Sequence, residues 1–189
     1  MKAFRLIALP LFLLVGLAAC NNGRDYVIEG TLYGGRNFEG RTIYLVPFSG
    51  AGADNIDSAI VHESRFHFDG TVQQDAVYTL HMNKVMSVFI DDLIIILEPG
   101  RIRTKLSQPS SAKGTPLNDS LQSWREFKAK NDSALRAVSK ELMRARSAEC
   151  RAALQDKQDS LRASFETRTR ASIKQNNNAF GEFLGKVLR

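Results

Sequence analysis

The chain is poor in the residues that disulfide, metal and redox chemistry require. It has two cysteines and three histidines in 189 residues, which excludes a disulfide framework, a four-cysteine zinc site and a C-x-x-C redox pair. A phosphate-binding glycine loop and a dinucleotide fingerprint are also absent. We therefore expect no cofactor, no metal site and no enzymatic activity. With 43% apolar and 24% charged residues, the composition is that of a globular protein and excludes collagen-like, disordered and multi-span membrane proteins.

The N-terminus has the three parts of a secretory signal. Lys2 and Arg5 precede an apolar run from Leu6 to Val15, which is shorter than the ~20 residues of a membrane-spanning helix. The segment Leu17-Ala18-Ala19-Cys20 resembles the lipobox of bacterial lipoproteins, which implies that residues 1–19 are removed and that Cys20 carries the lipid. The alternatives are a secreted protein cut at an A-x-A-like site and a buried helix.

Downstream of a polar tether at residues 20–25, the apolar residues repeat with period two from 26 to 106. Turn residues interrupt this repeat every eight to twelve positions, which is typical of an antiparallel β-sandwich. The short link Glu63-Ser64 predicts a hairpin. The all-apolar run from Leu93 to Leu97 predicts a central strand covered on both faces. The expected strands lie near 26–33, 42–46, 58–62, 65–68, 77–81, 86–97 and 102–106.

A linker over residues 107–116 precedes a basic helical region, 117–189. Apolar residues then follow a thin helical stripe, and residues 128–174 contain neither proline nor glycine. This pattern predicts a long helix or a helical hairpin that breaks at Gln175–Asn178, before a last amphipathic piece. The fold class is therefore α+β, an antiparallel β-sandwich followed by a C-terminal helical segment.

Charge also separates the two halves. Residues 21–119 hold 9 Lys+Arg and 12 Asp+Glu, a net −3, whereas residues 120–189 hold 15 and 8, a net +7. The basic helices could bind anionic lipid headgroups, or they could be solvated helices with ion pairs four residues apart. Nucleic acid is excluded as the partner of an exported chain.

Several residues are candidates for chemistry, each with a structural alternative. Cys150 lies between Arg146 and Arg151, which could make it a redox thiol or an ordinary helical cysteine. His62 and His67 flank the predicted hairpin and could share a metal, or they could be ordinary sheet positions.

Three further groups complete the set of candidates. Asp57, Ser58 and His62 have the residue types of a hydrolase triad but lack a nucleophile elbow. Asp91-Asp92 interrupt an apolar stretch and indicate either a turn or a polar site. The aromatic residues could form a glycan or peptide platform or could belong to the core; they are Tyr26, Tyr33, Tyr44 and Phe48.

The order of these signals resembles a family. It is a domain of unknown function found at the N-terminus of bacterial thiol:disulfide interchange lipoproteins of the thioredoxin-like peroxiredoxin group. The segments that carry the resemblance are Tyr26–Leu32, Thr42–Leu45, Ile56–Val61, Phe66–Val72, Ile96–Gly100 and Gly114–Asp119.

In that family a thioredoxin-fold domain with a C-x-x-C pair follows, but this sequence has no motif onto which those cysteines map. The resemblance therefore implies location and architecture. We expect a lipid-anchored lipoprotein of the cell membrane or outer membrane, facing the periplasm or the cell surface, with a non-catalytic binding domain. Its partner would be an envelope protein or a second copy bound through the helical region. The alternatives are an accessory domain or partner of a thiol:disulfide system and a surface glycan or peptide binder.

Overall fold

The structure is a computed structural model that describes residues 24–33, 38–48, 57–83 and 90–188. Eight strands precede three helices in the described chain. The strands are β1 (Asp25–Leu32), β2 (Thr42–Pro47), β3 (Asp57–Ile60), β4 (Arg65–Thr71), β5 (Ala76–Met82), β6 (Leu93–Leu97), β7 (Gly100–Leu106) and β8 (Ser111–Lys113). The helices are α1 (Pro116–Arg144), α2 (Ala148–Gln175) and α3 (Ala179–Val187).

The strands form two packed sheets, which confirms the predicted β-sandwich with C-terminal helices. The first sheet has the order β4-β1-β7-β8 and the second has the order β3-β2-β5-β6. The sequence predicts antiparallel strands throughout, but β1 and β7 are parallel. The chain enters β7 from the second sheet at the end of the sandwich where β1 begins, so the two strands run in the same direction. The predicted turn at Glu63-Ser64 is present and has positive φ at both residues, but it joins strands of different sheets.

Strand β6 is covered on both faces, as its continuous apolar sequence predicts. Leu93, Ile95 and Leu97 face the core between the sheets, whereas Ile94 and Ile96 face a second core under the helices. The prediction that this strand is central was wrong, since β6 is the edge of its sheet. Helices on the outer face bury the side chains that an edge strand would otherwise expose.

The helical region is a hairpin followed by a docked third helix. The α1–α2 hairpin turns at Ala145–Ser147, and Ser147 Oγ caps α2 by accepting from the Cys150 amide at 3.1 Å. The predicted break at Gln175–Asn178 separates α2 from α3. Helix α3 packs on the second sheet, where the rings of Phe183 and Phe48 are 5.2 Å apart. The sheet and the helices thus share one buried layer.

The boundaries of the sandwich are wider than the sequence predicts. Ser111–Lys113 lie in the predicted linker, 107–116, and form β8 against β7. At the other end, the predicted tether overlaps β1 at Asp25, and Arg24 Nε donates to the Val72 carbonyl at 2.8 Å. Both short polar segments join the sandwich through backbone hydrogen bonds. The periodicity of apolar residues does not reveal such bonds.

The start of β1 and the end of β6 lie at the same end of the sandwich. Arg24 binds Asp75 at 2.7 Å, and Asp75 directly precedes Ala76, which pairs with Leu97. We call this the tether end, because the predicted tether enters the sandwich there.

Helix α1 begins at the tether end and runs away from it. Its Asn118 contacts Ile96 of β6, and its Arg125 contacts Ile94, so that α1 is antiparallel to β6. From Arg125 the helix continues to Arg144, which at 1.5 Å per residue is about 28 Å. The tip of the hairpin therefore projects beyond the end of the sandwich opposite the tether.

Two glycines of the first sheet lie under aromatic rings of the neighbouring strand. Gly30 pairs with Phe66, and a Cβ at Gly30 would lie 1.9 Å from the Phe66 ring. Gly70 pairs with Tyr26, and a Cβ there would lie 2.9 Å from the Tyr26 hydroxyl. A side chain at Gly30 has no room beneath the Phe66 ring, whereas one at Gly70 would require the Tyr26 ring to shift slightly. Both glycines lie in segments that carry the family resemblance.

Burial of Tyr26 predicts a loss of stability at alkaline pH. Burial, followed by the charge of Asp57, raises the pKa of Tyr26, whereas in the unfolded chain a tyrosine titrates near ~10. The neutral phenol of Tyr26 therefore contributes its full stabilisation of the fold below the pKa of the unfolded chain. This contribution is lost as the pH rises through the pKa of the folded state. The urea midpoint should fall above pH 10, and Tyr26→Phe should fall less steeply. Equal slopes for the two proteins would contradict this assignment.

Candidate functional site

Three polar side chains of α1 bind the open edges of both sheets. Asn118 Oδ1 accepts from the Ile96 amide at 3.0 Å and its Nδ2 donates to the Ile96 carbonyl at 2.7 Å, as a neighbouring strand would. Arg125 Nη2 donates to the Ile94 carbonyl at 2.6 Å, and Gln122 Oε1 accepts from the Ala112 amide of β8 at 3.3 Å. Helix α1 thus closes the side of the sandwich between β6 and β8, which prevents pairing with another chain.

Glu98 joins this edge to the start of the helix. Its carboxylate is buried, and Oε1 accepts from the amides of Leu117 and Asn118 at 2.8 and 3.0 Å. Thr115, the residue before α1, forms no side-chain cap, so Glu98 supplies the acceptor that the helix start needs. Burial lowers the pKa of Arg125, and the two hydrogen bonds that its guanidinium donates, to Gln122 Oε1 and to the Ile94 carbonyl, offset the cost of burying it.

The apolar stripe of α1 does not reveal this polar face, although Asn118, Gln122 and Arg125 have the i, i+4, i+7 spacing of a single helix face. Polar residues at that spacing ordinarily indicate a solvated face. Here two of them are fully or nearly buried, at 0% exposure for Asn118 and 6% for Gln122. The segments 96–100 and 114–119 that carry the family resemblance meet at this junction, whose role is structural.

The outer face of the first sheet is the candidate binding surface. Glu29 of β1 lies between His67 of β4 and Arg103 of β7, and Thr31 lies between Arg65 and Lys105. The cations that this face exposes are Arg65, Arg101, Arg103, Lys105 and Lys113, and its carboxylates are Asp25, Glu29 and Asp69. We call this set the basic sheet face. It carries a net charge of +2 with His67 neutral, in a half of the chain whose net charge is −3.

A groove of about 650 Å³ lies where the basic sheet face meets the β3–β4 corner. Arg65 and Arg103 line it together with Ile60, which is 69% exposed. Its carboxylates are Glu29, which Arg101 binds, and Glu63 in the corner turn. The groove therefore combines two arginines, two carboxylates and an exposed apolar side chain.

The predicted lipid site lies outside the described residues, as do the lipobox residues Leu17, Ala18 and Ala19. Cys20 and the predicted signal peptide, 1–19, are both outside the described residues. Among the residues that the structure describes, no helix is long and apolar enough to cross a membrane. Cys150 is a free, exposed thiol in the first turn of α2.

His62 and His67 both line the groove, and each contacts a different carboxylate. His62 Nδ1 is 2.9 Å from Glu39 Oε1, and His67 Nε2 is 3.2 Å from Asp69 Oδ1. Asp57 accepts from the Ser58 amide at 2.7 Å rather than contacting His62. Within the described ranges, no group of three or more His, Cys, Asp or Glu side chains could hold a metal.

The aspartate pair lies in an irregular segment directly before β6. Asp91 and Asp92 are exposed, and Asp92 Oδ1 is 2.8 Å from His81 Nδ1.

The four aromatic residues do not form one platform. Tyr26 is in the sandwich core and Phe48 packs in the second core. Tyr44 is half-buried against His81, and Tyr33 is 74% exposed with Lys105 Nζ 5.4 Å from its ring centre. The core interpretation therefore holds for Tyr26 and Phe48, and only Tyr33 of the four lies fully open to solvent.

A family model for a domain of unknown function, DUF4369, matches residues 26–121. These are 96 of the 189 residues, which is more than half of the chain. The chain belongs to the DUF4369 family. The DUF4369 span begins in β1 and ends at Leu121 in α1, so it includes the sandwich, the basic sheet face and the Glu98–Asn118 junction. No curated protein and no solved structure matches the chain.

Proposed function

We propose that the protein is a lipid-anchored lipoprotein of the bacterial cell envelope whose DUF4369 domain is a non-catalytic binding module. The basic sheet face carries the binding part of this proposal, because it combines a surplus of cations with a groove and an exposed Ile60. The lipobox-like segment Leu17–Cys20 supports the anchor. Two acyl chains hold a protein stably at a membrane, whereas one binds only marginally.

The geometry also bears on the role of the helices. If Cys20 is the anchor, the membrane lies at the tether end, and the hairpin tip lies on the opposite side. The hairpin contains ion pairs three or four residues apart at Lys128–Asp132, Asp159–Arg162 and Glu166–Arg170. These observations favour a solvated helical hairpin over an arm that binds the headgroups of the anchoring membrane.

The anchor is tested with the full chain expressed in a bacterial host, alongside Cys20→Ser. We expect the wild type to partition into membranes with an intact mass that includes the acyl chains and lacks residues 1–19. The Cys20→Ser variant should be unacylated, because the thiol is the acceptor of the diacylglycerol. Cys150→Ser is the matched control and should behave as the wild type. A soluble, unacylated wild type would overturn the anchor.

A further inference from the structure

We propose that the basic sheet face binds an extended acidic polypeptide segment laid along β7. This inference deepens the proposed binding function and rests on it for the domain being a binding module. The ligand class follows from the arrangement of charge on the face, the repeat of the strand and the free cations beside the groove.

Positive charge is concentrated on this one surface of an acidic domain. Residues 21–119 hold nine cations, and five of them lie on the basic sheet face. The five cations outnumber the three carboxylates of the face, two of which are engaged, since Glu29 binds Arg101 and Asp69 binds His67. Of the five cations, Lys113 is paired with Glu126 of α1. An anionic ligand thus meets a surplus of cations here, while the rest of the domain repels it.

The cations also have the repeat of an extended peptide. Arg101, Arg103 and Lys105 alternate along β7 and point to the same side of the sheet. Side chains two residues apart on a strand are separated by about 6.7 Å. Carboxylates at every second residue of an extended segment have that same spacing, so successive acidic side chains can meet successive cations.

Arg65 and Arg103 are the cations that can most readily accept a new partner. Within the described residues neither forms an ion pair, and both line the groove. An arginine binds a carboxylate through two parallel hydrogen bonds, which gives orientation as well as affinity. Ile60, exposed at the same groove, offers an apolar contact to a side chain between two acidic residues.

The test uses the mature full chain and a fluorescein-labelled twelve-residue peptide of alternating Glu and Thr. Binding is measured by fluorescence anisotropy at physiological ionic strength. We expect the double variant Arg65→Gln/Arg103→Gln to bind at least tenfold more weakly than the wild type. The matched control is Arg136→Gln/Lys140→Gln, which removes the same charge from two exposed positions of α1 and should bind within twofold of the wild type. Circular dichroism of each variant checks that the fold is intact.

Three outcomes would overturn the proposal. One is the absence of binding to the alternating peptide, and another is an equal loss in both double variants, which would indicate nonspecific charge attraction. The third is binding of dextran sulfate without binding of the peptide, which would indicate a polyanionic glycan. All three leave acylation of Cys20 unaffected, so failure here is distinguishable from failure of the proposed anchor.

Discussion

Gly30→Ala should lower the free energy of unfolding by about 3 kcal/mol, since the new methyl group needs the space that the Phe66 ring occupies. Three atoms of that ring lie within 2.4 Å of the position of the Cβ. Phe66 is 5% exposed and packs edge-on against Phe68, so it cannot swing into solvent without opening the core. Urea denaturation followed by circular dichroism measures the loss.

The same cause predicts a strong coupling between the two positions. In the double variant Gly30→Ala/Phe66→Ala the ring is absent, and the combined loss should be smaller than the sum of the two single losses. Gly185→Ala is the matched control, because no atom lies within 4 Å of its Cβ position in α3. Alanine favours helix over glycine by up to ~1 kcal/mol, so this control should be as stable as the wild type or more stable. Additive losses at Gly30 and Phe66 would refute the account.

Asn118→Leu should destabilise the protein by about 3 kcal/mol and promote its association. Leucine has a similar shape but leaves the amide and carbonyl of Ile96 without their partners. Each buried group that loses its hydrogen bond costs roughly 1–3 kcal/mol. The opened edge of β6 then becomes available for pairing with another chain. Urea denaturation gives the first effect, and light scattering against concentration gives the second.

Asn177→Leu provides the comparison, because Asn177 is exposed between α2 and α3. Its unfolding midpoint and scattering should match those of the wild type. Surface changes typically alter the free energy of unfolding by less than ~1 kcal/mol. If the free energy of unfolding of Asn118→Leu were within that range of the control, α1 would not protect the sheet edge as described. Association without a loss of stability would contradict the assignment of both roles to Asn118, which are satisfying the backbone groups of Ile96 and covering the edge of β6.

The strands and helices were largely predictable because their signals are local. Alternating burial in β1, where Tyr26, Ile28 and Leu32 face inward, follows the period-two pattern directly. The position of β6 was not predictable in the same way. A run of five apolar residues indicates two covered faces but does not distinguish a central strand from an edge strand under helices.

The candidate sites depended far more on tertiary structure. Neighbouring residue types in sequence suggested a triad at Asp57, Ser58 and His62, yet His62 binds Glu39 instead. The sequence pattern does not indicate the basic sheet face, since its cations come from β4, β7 and β8. These strands lie in one sheet only because of the strand order. Strand order depends on long-range pairing, which the local pattern does not encode.

The sequence by itself determined the sandwich, the helical hairpin, the break before α3 and the opposite charges of the two halves. Each of these follows from periodicity, breakers or composition, which are properties of neighbouring residues. Tertiary structure alone decided that β7 lies parallel to β1, that Asn118 closes the edge of β6 and that five cations share one face. Those features arise from contacts between residues far apart in the chain, where hydrogen bonds and packing select one arrangement among several that the local pattern allows.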